Sequence, residues 1–107
     1  MAEPRAYTAD EVRQQLLDHM RAISRYWAKQ PDQTVAEKCD GLCFSILNIF
    51  DGTSMGLPAM DISLSPHEDD KEFNRSEGDN WYEPGQVIND CMMHEEWYIK
   101  KERLDAE

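Results

Sequence analysis

The sequence predicts an α+β domain that is mainly helical, with three helices over about 9–29, 35–50 and 86–103 and a short β-strand or hairpin around 58–65. Three observations lead there. Two capping-box patterns each precede a stretch with apolar residues at steps of three and four. A third stretch of helical character lies toward the C-terminal end. Between them one segment switches to alternation, the period of a strand.

The first helix opens at Thr8, with Glu11 three residues on. Val12, Leu16, Met20, Ile23 and Trp27 then fall on one face, widened by Leu17 and Ala28, and Pro31 ends the pattern. Arg21, Arg25 and Lys29, at steps of four, form a basic ridge on another face.

Thr34 and Glu37 start the second helix. Cys39, Leu42, Cys43, Ile46 and Phe50 line one side of it, and Phe44, Leu47 and Ile49 make the rest apolar too. A helix apolar nearly all round is expected at the centre of the core. Gly41 costs about 1 kcal/mol inside a helix, so another backbone is expected to pack closely there. Asp51 and Gly52 supply the stop.

Met60, Ile62 and Leu64 alternate with Asp61, Ser63 and Ser65 between Pro58 and Pro66, which suits an edge strand. A strand needs a mate for its backbone groups. Two are open: a weaker strand at Glu72 to Arg75, or the same strand of a second copy, which would make a homodimer.

Residues 67–85 read as an acidic loop. From His67 to Glu83 it carries Glu68, Asp69, Asp70, Glu72, Glu77, Asp79 and Glu83 against Lys71 and Arg75, a net of −5, with Phe73, Trp81 and Tyr82 embedded in it. The last helix takes Val87, Ile88, Cys91, Met92, Tyr98 and Ile99 as its apolar face. Lys100, Lys101 and Arg103 sit near its end, where the dipole favours cations. Residues 1–107 form a single domain in this reading, with 1–7 flexible.

Charge narrows the function. Lys plus Arg number 11 and Asp plus Glu 22, for a net of −11, which repels phosphate and excludes direct nucleic-acid binding as the expected role. The charge is uneven. Residues 1–30 hold five bases and four acids, a net of +1, which leaves −12 on the rest. Met1 to Asp10 contains no apolar stretch, so no secretory signal is expected. The longest apolar-rich run, Leu42 to Phe50, is too short to span a bilayer. Three cysteines then read as reduced thiols in a cytoplasm.

Cys39 and Cys43, four apart, and Cys91 and His94, three apart, could converge as a four-ligand zinc site if their helices pack antiparallel. Their spacing also fits core positions. His94-Glu95-Glu96 begins like a zinc-protease helix but lacks the second histidine. His67 to Asp70 lacks the acid spacing of an EF-hand. No nucleophile elbow surrounds Cys39, Cys43, Cys91 or Ser45, and no glycine-rich phosphate loop is present. No cofactor is expected.

Lys38-Cys39-Asp40-Gly41, Phe44-Ser45-Ile46-Leu47, Asp51-Gly52, Leu57-Pro58, Pro66, Asp69-Asp70-Lys71 and His94-Glu95 together resemble a pattern found in short hypothetical proteins of bacteria and their phages. The resemblance covers about residues 37–98. It implies a bacterial or phage origin and brings no activity or site residues. Cys43 stands where that pattern has a small apolar residue.

The sequence therefore points to a small acidic, non-enzymatic interaction protein in a bacterial cytoplasm, one of phage origin in the sharpest form. Its partner would be a protein with a basic surface, for instance a defence complex such as CRISPR whose nucleic-acid groove it occupies. Glu68, Asp69, Asp70, Glu72, Glu77, Asp79, Trp81 and Tyr82 would make the contact, since aromatic anchors within complementary charge are what such surfaces use. The alternative is a small metal-dependent or thiol enzyme using Cys39, Cys91 and His94.

Overall fold

The computed structural model describes residues 3–98. Helix α1 runs Ala9–Ala28 and α2 Val35–Asp51. Each opens on the capping box its sequence predicts. The Glu11 amide donates to Thr8 Oγ1 at 3.2 Å while Thr8 N donates to Glu11 Oε1 at 2.9 Å, and Thr34 with Glu37 repeats the exchange. Arg5 adds a two-pronged contact to Glu11 at 2.8 and 2.9 Å. That guanidinium, followed by the Thr8 amide, holds the Glu11 carboxyl at a pKa of about 2.

The two long helices pack as a hairpin. Trp27 closes it by lying over Gly41 and donating from Nε1 to Ser45 Oγ at 2.9 Å. Lys38 Nζ reaches the Ala28 carbonyl at 3.0 Å and caps the end of α1. Gly52 ends α2 at φ +81°. A side chain there would be strained by that φ and would also meet Ala59 Cβ at 2.7 Å.

Beyond α2 the structure departs from the expected α+β class. The described residues are 52% helical and 2% strand, with no sheet among them, so the fold is mainly helical. The 60–64 segment keeps its alternation, with Met60, Ile62 and Leu64 half-buried and Asp61, Ser63 and Ser65 exposed. Its mate within the chain is not Glu72 to Arg75. It runs antiparallel to residues 85–88: Gly85 N donates to Leu64 O at 2.8 Å, Leu64 N to Gln86 O at 2.9 Å and Ile88 N to Ile62 O at 2.9 Å. Ser63 and Val87 form an isolated bridge. The pairing stops at Asn89, whose side chain replaces the backbone. Its Oδ1 accepts from Ile62 N at 2.7 Å, and its Nδ2 donates to the Met60 and Phe50 carbonyls.

That pairing also displaces the expected 86–103 helix. Residues 85–88 commit backbone groups to Ile62 and Leu64, so they cannot coil, and α4 begins only at residue 93 and runs 93–98 among the described residues. Val87 and Ile88 are left partly exposed instead of lining a helix face. Ile99, Lys100, Lys101 and Arg103 lie outside the described residues. Conversely, the acidic loop contains a helix, α3 (Asp70–Ser76). Asp70 and Glu72 in its first turn and Arg75 in its last oppose the dipole with the favourable signs, although no apolar stripe announces it.

Helix α2 is not the buried centre expected of it. Only Gly41 and Ile49 within it are buried, Cys39 and Cys43 are exposed, and Ile49 is the sole buried hydrophobic among the described residues. Too little chain packs around it. The radius of gyration is 18.2 Å, against about 13 Å for a compact chain of this length. The extents are 55 × 48 × 20 Å, a plate about two helices thick. No helix among the described residues is long and apolar enough to cross a membrane.

Candidate functional site

Residues 67–85 form an arm that leaves the helical hairpin. Its helix, α3, touches neither α1 nor α2. Seven residues of helix are too few to hold alone, so local contacts must fix the arm. Trp81 supplies them. Lys71 Nζ lies 5.4 Å and the Arg75 guanidinium 5.8 Å from its ring centroids, and its Nε1 donates to Glu83 Oε1 at 2.7 Å. Lys71 closes the ring by pairing with Glu83 at 3.1 Å. The Trp81 hydrogen bond, then the Lys71 one, holds the Glu83 carboxyl below its ordinary pKa. At the start of the arm, the Asp69 amide donates to His67 Nδ1 at 3.1 Å.

The two bases of the arm are thus turned onto its own tryptophan. Glu68, Asp69, Asp70, Glu72, Glu77 and Asp79 are all exposed. Tyr82 is 73% and Phe73 64% exposed, whereas Trp81 is 37% exposed because it is the clamp. The residues singled out from the sequence therefore fall on one segment, but in two roles. Trp81 organises, while Tyr82 and Phe73 present apolar surface within the acidic field. The α3 fold places Phe73 on one helical face with Asp69, Asp70 and Glu77. Residue order hides this, because the segment reads as a loop.

The zinc set does not assemble. Among the described residues no group of three His, Cys, Asp or Glu side chains is placed to hold a metal. His94 instead turns to Asp51, a pairing the sequence reading missed. Asp51 Oδ2 accepts from the His94 amide at 2.8 Å and from its Nδ1 at 2.6 Å. The Asp51 side chain is fully buried and that of His94 is 16% exposed. Burial is the largest single influence on the Asp51 carboxyl and pushes its pKa up. The His94 amide, the His94 ring and the Met93 amide together outweigh it, so the pKa lies below its ordinary value. The carboxylate at the end of α2 thereby caps the start of α4. One signal could have exposed it: an acid in the last turn of a helix with no base beside it opposes the dipole, and so calls for donors from elsewhere.

A cavity of about 180 Å³ opens beside Asp51, with Asp61, Asn89, Asp90 and Cys91 in its wall. His94 does not line it. Partial desolvation, then the Glu96 and Asp90 carboxylates, push the Cys91 thiol up, which disfavours the thiolate a nucleophile needs. Among the described residues Cys39, Cys91 and His94 are therefore not gathered to hold a metal. Comparison of the chain with protein families, with curated sequences and with solved structures finds no match.

Proposed function

We propose that the chain is a non-enzymatic interaction protein whose acidic arm docks on a basic protein surface. One observation carries this reading: the arm's helix α3 touches neither long helix, and the arm clamps its own bases on Trp81 and presents Tyr82 and Phe73 among six exposed acids. Exposed aromatics in a complementary electrostatic field supply affinity from the rings and orientation and on-rate from the charge. Between its ends the arm is held by contacts within itself, so it can adjust to a partner at small cost to the rest of the fold.

The partner class is a protein with a basic groove, in the sharpest form the nucleic-acid groove of a bacterial defence complex such as CRISPR. The acidic arm would occupy that groove in place of phosphate. Phage origin and a bacterial cytoplasmic setting belong to the same proposal, on the resemblance noted above.

The test is competition. A CRISPR effector complex is loaded with fluorescent DNA, and displacement is followed as the protein is added, at low and physiological salt. Displacement that weakens with salt, and is lost in a Tyr82→Ala, Glu72→Lys, Glu77→Lys variant of unchanged helicity, is the expected result. Absence of displacement at low salt refutes the sharpest form. Failure to bind even a lysine-rich polypeptide refutes the arm as a docking segment.

A further inference from the structure

Alongside its packing stripe, and sharing Met20 with it, α1 carries a shallow groove lined by Leu17, Met20 and Ser24, with Arg21 and Arg25 beside them. Leu17 remains 38% exposed although it extends the apolar stripe of its helix. Arg21 leans on Asp18 at 2.8 Å, and both are well exposed. Arg25 forms no ion pair among the described residues. The groove is thus an apolar floor with a basic rim, and the chain's own α3 does not reach it.

The arm has the opposite character. Phe73 stands out between Asp69 and Asp70 on one side and Glu77 on the other, at helical spacings of three and four. An exposed ring ringed by acids matches a floor of Leu17 and Met20 edged by arginines. The accessible surface argues in the same direction. It is 8734 Å², against about 6,200 Å² for a compact chain of this mass. The excess of about 2,500 Å² exceeds the roughly 800 Å² per partner that a standard interface buries.

We propose that a second copy of this chain occupies the groove: the arm of each protomer lies on α1 of the other, forming a closed two-fold dimer with two identical docks. This rests on the reading of residues 67–85 as a docking segment and names its resting partner. In the dimer the arm is sheltered, and a foreign basic surface must compete with α1 for it. The ground differs from an unpaired strand, since the 60–64 segment already has its mate within the chain.

Sedimentation of the full chain at about 100 µM, above the micromolar affinity of modest interfaces, and about 50 mM salt tests it. The wild type is expected to be a dimer that loosens as salt rises. Arg21→Glu with Arg25→Glu, and separately Asp69→Arg with Glu77→Arg, are each expected to weaken association at least about tenfold, since like charges then face each other. Mixing the two variants should restore a dimer, because both docks of the mixed pair regain opposite charges. Phe73→Ala, a change at an exposed position, should also dissociate it with circular dichroism unchanged. A monomeric wild type, or a dimer indifferent to both reversals, overturns the proposal. A lysine-rich polypeptide separates the two readings: if a monomeric chain still binds it through the arm, only self-docking falls, and if it does not, both fall.

Discussion

The indole of Trp27 rests directly on Gly41: a Cβ at that glycine would lie 2.6 Å from three atoms of the ring. The neighbour that Gly41 makes room for is a side chain, not a second backbone. Gly41→Ala gains about 1 kcal/mol of helix propensity but forces the indole off Ser45, and overpacking costs about 1–3 kcal/mol. The expected net is destabilisation by about 1 kcal/mol, read from urea unfolding. A more stable variant would show that the ring is free to move.

Asp51 and His94 join the end of α2 to the start of α4. Asp51→Ala should cost about 3 kcal/mol, because it strips a buried partner from the His94 ring and amide. The folded carboxyl has a lowered pKa, so its contribution is fully present above the unfolded value, about 3.9, and is lost as pH falls through the lower folded value. Glu11 acts with the same sign and titrates at about 2. Stability measured from pH 6 down to about 2 should therefore fall below about pH 4, and less steeply in Asp51→Asn.

Asn89 stands in for a missing strand residue. Asn89→Ala leaves Ile62 N and the Met60 carbonyl without their partner and should cost about 1–3 kcal/mol. Hydrogen exchange locates the loss: the Leu64 and Ile88 amides should exchange faster, while those in the middle of α1 keep their protection. Uniform acceleration throughout would assign Asn89 a global role instead.

Trp81→Ala should free Lys71 and Arg75 and unfasten the arm. Since α3 touches neither long helix, global stability should change by less than about 1 kcal/mol. Amide protection within Asp70–Ser76 should disappear. A large global loss would mean that the arm belongs to the core.

The raised pKa of Cys91 makes it a slow thiol. In a timed iodoacetamide pulse near pH 8, followed by peptide mass spectrometry, Cys91 should label more slowly than Cys39 and Cys43, all three being exposed. Cys91 labelling first would revive the thiol-enzyme alternative.

What the sequence by itself determined lies within short range. Thr8 with Glu11 and Thr34 with Glu37 set two helix starts, the stripe from Val12 to Trp27 set the packing face of α1, and Gly52 set the end of α2. The alternation from Met60 to Leu64 correctly predicted which side chains turn inward. All of these depend on residues a few positions apart, so periodicity and caps reveal them. Only the tertiary structure decided the rest. Whether 60–64 joins a sheet turned on 85–88 and on the Asn89 side chain, twenty-odd residues away, and that pairing took the backbone groups from which a helix starting at residue 86 would have been built. Whether Cys91 and His94 meet Cys39 and Cys43 was settled by the buried Asp51 carboxylate, which took His94 for itself. Whether α2 is buried was a question of how much chain remains to cover it. Each outcome is a competition between distant groups for one set of hydrogen bonds or one apolar face, and the order of residues along the chain does not record who wins.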